Sequence, residues 1–473
     1  MVRRVPFSSP RRARVLLVDA TRIPANSPFI AQPVGLLSLA AVLRQDGHEV
    51  RIHDCKLGLE SLTPLLQELQ PQVVGFRTLS SFVRILPLLA RTVRFLCPDA
   101  RIIVGGPHAS GDPADAIART GAVAAVIGEG EATIRELVPA LVDRADLTRI
   151  DGLAISSGVG DPTSPVVFTP PRAPIADLDS LPLPAWDLLP VDTYFQRNRA
   201  GTSRAGRSLT VFTSRGCPYG CAFCHNLFGR RFRARCPESV VDEMQYLVRR
   251  YAADEFELHD DAFNTDRARM EAICEGLIAA PTGADLAFPN GLRADQLTRS
   301  DIELLRQAGT HHVALSPETA SIRLQRYLGK RMDLERLLEA ARVCDEVGIF
   351  TVGYFMLGFP TETEAEMLAT VDYACRSPLH TASFFTVTPF PGSRLWSEAR
   401  RSGRLSPAWT ADCYHDTSVN LSLVPDDRFR EIRQEAYRKF YLTPRRAVGI
   451  VRSVPNLRTL LVNSGFVAER LLK

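Results

Sequence analysis

Three cysteines share one short stretch, Cys217-Pro-Tyr-Gly-Cys-Ala-Phe-Cys224, with gaps of three residues and then two. Thiolates are soft ligands that suit iron–sulfur clusters, zinc or cuprous copper. Structural zinc usually takes four ligands, in two pairs far apart in sequence, and no second pair accompanies this triplet. His225 could complete a zinc site, but neighbours such as Cys224 and His225 rarely both reach one metal. The triplet therefore suits a cubane cluster with three irons held by protein and one left open. It follows Ser208-Leu-Thr-Val-Phe-Thr213, a β-branched and aromatic run that reads as a strand. The bland alternative is a set of packing thiols in a reduced protein; such close spacing behind a strand argues against it.

The spacing resembles that of the radical S-adenosylmethionine superfamily. The longer string Cys221-Ala-Phe-Cys-His-Asn-Leu-Phe-Gly-Arg230 is similar to the branch that also carries a cobalamin-binding domain. The resemblance implies a [4Fe-4S] cluster on Cys217, Cys221 and Cys224, with the open iron chelating S-adenosylmethionine. It further implies cobalamin as a cofactor, an electron donor such as flavodoxin or ferredoxin, and a S-adenosylmethionine contact from Phe223.

These residues need elements to hold them. With 473 residues the chain is long enough for more than one domain, and its apolar content supplies ample core. A net charge of +4 is close to balance and gives no case for nucleic acid as a partner. Ten cysteines without a secretory signal point to a reducing, cytoplasmic setting. No apolar run approaches the length of a membrane span.

Residues 1–150 alternate strand and helix. The runs Val15–Val18, Val50–His53, Val73–Phe76, Ile102–Val104 and Ala124–Ile127 read as buried parallel strands, with helices between, as in a doubly wound, Rossmann-like α/β domain. Such sheets bind ligands beyond the carboxyl ends of their strands. Gly105-Gly-Pro-His108 and Gly128-Glu-Gly-Glu131 fall there, and glycines let backbone approach a ligand. By resemblance these loops belong to a cobalamin domain, with Gly105, Gly106, His108, Gly128, Glu129 and Gly130 as contacts. Arg77 and Thr78, after the third strand, are expected to face the lower side of the corrin. An Asp-x-His-x-x-Gly loop is missing, and Asp46-Gly-His48 lies at the wrong end of the sheet, so no histidine from that motif is expected on cobalt. A nucleotide site is the alternative, but neither Gly-x-Gly-x-x-Gly after the first strand nor a Walker loop is present.

Residues 151–205 are rich in proline and read as a linker carrying a small hairpin, with Trp186 packing near its end. Over 206–400 six strand–helix units follow, which fits a partial (β/α)6 barrel of the TIM type, with chemistry at the carboxyl ends of the strands. Asp260 and Asp261 fall after the second strand and Glu318 after the fourth. By resemblance Glu318 takes the ribose hydroxyls of S-adenosylmethionine, and Asp260 or Asp261 its amine or a structural contact nearby. Turn or N-cap chemistry for Asp261 and a salt bridge for Glu318 are the plain alternatives. The chain departs from the family strings at Ser316-Pro-Glu-Thr-Ala320 and at Thr361, where glycine is usual. Cys236, Cys274, Cys344 and Cys375 read as ordinary thiols. Residues 401–473 read as a small helical region that caps the barrel or touches a membrane surface.

The resemblance implies a methyltransferase: one S-adenosylmethionine methylates cobalamin, a second gives a deoxyadenosyl radical, and an unactivated carbon receives the methyl group. Alternatives are a cobalamin-dependent radical cyclase or rearrangement enzyme and, from another class, a cobalamin- or redox-sensing regulator. Small-molecule, lipid and peptide substrates all remain open.

Overall fold

The structure is a computed structural model and describes residues 12–23, 30–158, 165–198, 206–405, 419–443 and 446. Residues 447–473, where a basic helical stretch is expected, lie outside it. The chain forms two compact units, one running from Pro33 to Val191 and including the first strand, the other from Asp192 onward.

In the first unit the elements are β1 (Arg14–Asp19), α1 (Val34–Gln45), β2 (Glu49–Asp54), α2 (Leu62–Leu69), β3 (Val73–Arg77), α3 (Leu86–Leu96), β4 (Arg101–Gly105), α4 (Pro107–Gly111), α5 (Pro113–Thr120), β5 (Ala124–Val126), α6 (Glu131–Val142), β6 (Leu153–Ser156) and β7 (Val166–Phe168). The strand order is β2-β1-β3-β4-β5-β6-β7, parallel as far as β5 and antiparallel after it. The continuous apolar strands are explained by burial on both faces. Leu16 and Val18 of β1 enter one core with Val74 and Phe76, while Val15 and Leu17 enter the other with Val73 and Ile103. The hairpin expected in the linker is formed, but it extends this sheet as β6 and β7. Trp186 is buried, and Ala185 beside it joins the core of β1, α1 and α6. The short helices α2, α4 and α5 escaped the sequence reading; α4 and α5 each begin with a proline at the first turn, which reads equally well as loop.

Past α7 (Val191–Arg197), the second unit contains β8 (Ser208–Val211), β9 (Ser214–Arg215), β10 (Arg233–Ala234), α8 (Pro237–Tyr251), β11 (Glu255–Leu258), α9 (Arg267–Ala279), β12 (Asp285–Leu292), α10 (Arg299–Gln307), β13 (Thr310–Glu318), α11 (Ile322–Leu328), α12 (Leu334–Glu346), β14 (Phe350–Leu357), α13 (Glu364–Arg376), β15 (Thr381–Thr386), α14 (Arg394–Arg401) and α15 (Asp426–Tyr441). Six strands pair in parallel in the order β15-β14-β13-β12-β11-β8, as a partial barrel requires. Their apolar face, with Leu209, Val211, Phe256, Leu258, Phe288, Val313, Phe355 and Leu357, is fully buried against helices. The other face lines the lumen and is more polar. The pair β9 and β10 is an antiparallel clasp that the sequence reading did not find, because two-residue strands leave no periodic signal.

Candidate active site at the mouth of the barrel

The cysteine loop is held at its entrance, its middle and its exit. At the entrance, Asp260 follows β11 and accepts hydrogen bonds from the backbone N–H of Thr213 (2.6 Å), from the Thr213 hydroxyl and from Ser214 Oγ (2.7 Å). Arg269 donates to the Thr213 carbonyl at 2.7 Å. At the exit, β10 returns to β9. Gly216 has φ of 86°, and a Cβ there would lie 2.3 Å from the Arg231 carbonyl oxygen, so only glycine closes this ring. In the middle, the N–H of Ala222 donates to Leu328 O (2.8 Å), and its carbonyl accepts from the N–H of Leu395 (2.9 Å). Tyr219 lies under the guanidinium of Arg293, 4.3 Å from its ring centroid, and its hydroxyl accepts from Gln296 Nε2 at 2.6 Å. Arg293 in turn donates to Asp295 at 2.7 and 3.2 Å.

Asp260 is therefore spent on the loop's entrance, whereas its neighbour Asp261 is open to solvent. The strand period explains this split. Phe256 and Leu258 face the helices, and carrying the alternation forward puts Asp260 on that buried face and Asp261 on the lumen face. That signal was in the sequence and went unused. Burial among protein atoms and the charge of Asp260 push the Asp261 carboxyl up to about 6, against a backbone hydrogen bond from Gly216. Solvent reaches Asp261 and Cys224 although protein atoms surround much of both.

All three cysteines are free thiols, Cys217 and Cys221 half-buried and Cys224 exposed. Burial pushes each thiol up, Cys224 to about 12, with Lys330 opposing the rise at all three. Among the described residues, no three His, Cys, Asp or Glu side chains gather as they would around one metal ion. That weighs against zinc. It does not weigh against a cluster, where each thiolate binds a different iron. Three thiols on one clamped loop, with no fourth protein donor gathered beside them among the described residues, fit a [4Fe-4S] cluster with one open iron.

Glu318, the last residue of β13, is buried and has φ of 65°, a left-handed conformation that a glutamate adopts only when its surroundings impose it. Lys330 Nζ donates to Glu318 Oε1 at 2.5 Å; Oε2 makes no hydrogen bond among the described residues. The salt bridge weighed as its plain alternative thus exists and leaves one acceptor over. Burial raises the carboxyl despite the lysine. Phe223 is half-buried, with its ring 6.3 Å from that of Phe359. Thr361 has φ of 64°, which explains why glycine is usual there; Arg323 braces it through Oγ1 (3.0 Å) and the carbonyl (2.8 Å).

In the first unit the loops at the strand ends are tied internally. Thr78 is fully buried, its hydroxyl donating to Gly105 O at 2.9 Å and accepting from the N–H of Ala109 at 3.1 Å. It therefore does not face outward as expected. Arg77 donates to Asp19 at 3.1 and 3.2 Å, so its charge is offset instead of standing free. Asp19 also holds Lys56, which reaches Asp54 at 2.9 Å. This buried ion network at the ends of β1, β2 and β3 was missed, and the aspartates closing the first two strand runs were its only signal. His108 is bound at both nitrogens, to Asp115 Oδ2 (2.8 Å) and Ser80 Oγ (3.2 Å). Gly106 has φ of 92° and its Cβ would press on the Thr78 backbone; at Gly130 a Cβ would meet Leu39 at 3.0 Å. Gly128 donates its N–H to Ser110 Oγ (3.0 Å), and Glu129 accepts from the N–H of Ile175 (3.0 Å).

Residues 22–138 match the B12 binding domain, and residues 211–374 match the Radical SAM superfamily. The chain thus carries a B12-binding domain followed by a radical S-adenosylmethionine domain. It is 29% identical to an uncharacterised methyltransferase of Pyrococcus horikoshii, over 93% of this chain and 92% of that one. It is 27% identical to the cytidylyl-2-hydroxyethylphosphonate methyltransferase of Streptomyces wedmorensis, over 84% and 83%. In fold it resembles TsrM, a radical S-adenosylmethionine methyltransferase of Kitasatospora setae, with TM-score 0.69 and 23% identity over 83% of this chain and 77% of that one. Among the described residues no helix is long and apolar enough to cross a membrane.

Proposed function

We propose that this protein is a cobalamin-dependent radical S-adenosylmethionine methyltransferase acting on an unactivated carbon of a small molecule in the cytoplasm, with a flavodoxin or ferredoxin as electron donor. The observation that carries the reading is the clamped loop with three free thiols at the carboxyl ends of a parallel partial barrel. Cys217, Cys221 and Cys224 hold the cluster. Glu318 offers its remaining oxygen to the ribose of S-adenosylmethionine, Asp261 stands near its amine, and Phe223 lies beside it. Bound together, the cofactors supply a hydrogen-abstracting radical and a transferable methyl group. The chain supplies the positioning of cofactor and substrate. In the first unit, the glycine loops at Gly105, Gly106, Gly128 and Gly130, with Arg77, Thr78 and Glu129 supporting them, form the cobalamin site. Both nitrogens of His108 are engaged, which supports cobalt without a histidine ligand.

Anaerobic reconstitution with iron, sulfide and cobalamin tests this. Cys217→Ala, Cys221→Ala and Cys224→Ala should each lose the cluster, whereas Cys236→Ala should keep it. Deoxyadenosine and S-adenosylhomocysteine should then appear in step. Deoxyadenosine without S-adenosylhomocysteine would point to cyclisation or rearrangement, and wild-type iron in any triplet variant would end the assignment.

A further inference from the structure

The strand register sorts the barrel's inner face into layers. Glu257 pairs with Thr210 and Ala287, and Leu258 with Val211, so His259 and Phe212 are neighbours in the next layer toward the mouth. Across the lumen, Tyr354 pairs with Ser383, and Met356 with Phe385. Along β14 the residues on this face, Val352, Tyr354 and Met356, are half-exposed, while those between them are buried. By the register, His259 and Phe212 are level with Val352, and Tyr354 and Phe385 lie one and two layers further toward the mouth. Phe212 meets the His259 ring edge to face at 6.1 Å, and Tyr354 meets Phe385 in the same way at 5.6 Å.

His259 differs from every other group in this layer. Its Nε2 lies 3.2 Å from Glu257 Oε2, one layer deeper on the same strand face. The two side chains are 21% and 18% exposed, so solvent, and hence a ligand, can reach them. A carboxylate only accepts, so Nε2 carries a proton toward Glu257, and in the neutral tautomer so oriented Nδ1 is a lone-pair acceptor. Nδ1 makes no hydrogen bond among the described residues. The backbone of His259 is pinned too: its N–H donates to Val211 O (3.0 Å), and its carbonyl accepts from Asn290 Nδ2 (2.7 Å). Neither the cysteine loop nor the Glu318 pair uses this imidazole. It is an acceptor beside the Phe212 ring on the lumen face.

We propose that His259, oriented by Glu257, is a specificity-determining residue that accepts a hydrogen bond from the substrate, and that the substrate is a flat apolar body bearing an O–H or N–H donor at its edge. This rests on the function proposed above, because it takes the lumen as the substrate's place. Aromatic faces discriminate poorly among apolar bodies, but an acceptor that a bound ligand covers and leaves unpaired rejects an analogue that lacks the donor.

The test uses full-length reconstituted protein labelled with 15N-histidine, with the cluster in its oxidised, diamagnetic state. The His259 signals are assigned by their loss in His259→Gln. Nδ1 should resonate as an unprotonated nitrogen, and Glu257→Gln should shift the tautomer balance toward Nδ1–H. Phenol should move the Nδ1 signal upfield, as donation to a lone pair does, and anisole, the same ring without the donor, should not. A protonated Nδ1 in the parent protein, or the same response to phenol and anisole, including none to either, overturns the proposal. The spectrum is read separately from iron content and deoxyadenosine formation. Failure of those two would remove the proposed function and leave the result at His259 standing.

Discussion

Arg293 is where removing one side chain should loosen the cluster without touching a ligand. Its guanidinium covers the ring of Tyr219, between Cys217 and Cys221, and is braced by Asp295. A cation over an aromatic face contributes about 0.5–1 kcal/mol when exposed and about 2 kcal/mol when desolvated; with Arg293 only 12% exposed, an intermediate value applies. Arg293→Met should therefore cost the closed loop about 1.4 kcal/mol, which corresponds to a roughly tenfold higher open population. The assay is the rate of iron loss to a chelator from anaerobically reconstituted protein, expected to rise about tenfold. A second effect must be separated from it. The variant leaves Asp295 buried without its counter-ion, at a cost to overall stability of about 1–3 kcal/mol. Arg293→Met combined with Asp295→Asn should recover most of that stability while iron loss stays fast. Wild-type iron loss in Arg293→Met would refute the clamp. So would a double variant that recovers iron retention together with thermal stability, since the loop would then be reporting the fold.

Glu318→Gln should weaken S-adenosylmethionine binding by about ten- to a hundredfold, from the roughly 1.5–3 kcal/mol of a charge-assisted hydrogen bond; equilibrium binding decides it, and unchanged affinity would reduce Glu318 to its pairing with Lys330. Thr361→Gly removes a left-handed β-branched residue and should stabilise the second unit by about 0.5–1 kcal/mol after the lost Arg323 bond is deducted, raising Tm by about 2 °C; a lower Tm would show that Arg323 contributes more than the strain. Burial depresses His312 to about 3 and His53 to about 4. Both stay neutral in the folded chain while the unfolded chain takes up protons below about 6.5, so this stability is complete above pH 6.5 and is lost as pH falls toward 4. Urea midpoints at pH 7.5 and pH 5 should show the drop, each further unit of pH costing up to about 1.4 kcal/mol per histidine; equal midpoints would contradict it.

What could be read from the sequence was whatever repeats along a strand or helix. The double-sided apolar runs of β1, β3 and β4 announced a parallel sheet, and six alternating units announced the barrel. The cysteine spacing, being local, named the cluster. What stayed hidden depends on partners far apart in the chain. His108 reads as a free loop contact for cobalamin until Ser80 and Asp115 are seen to hold both its nitrogens. For Glu318 a salt bridge was open from the sequence, but its partner, Lys330, was not. Thr78 looked like a loop hydroxyl, yet its bond to the Gly105 carbonyl depends on two neighbouring strands coming into register. Thr361 is an intermediate case, since its departure from glycine was visible and only the backbone angle gave it meaning.

The clasp of β9 and β10 bears on how the cysteine loop lives with an oxygen-sensitive occupant. The clasp ties the two ends of the loop, and the backbone bonds of Ala222 tie its centre, all without using a cysteine. An emptied loop therefore searches a few short tethered arcs, and the entropy of closing an arc grows only with the logarithm of its length. Oxidative loss of the cluster should then stay local and leave the six-stranded sheet folded. Assembly machinery would meet a receptor already shaped, and the same polypeptide could be damaged and refilled many times over its lifetime.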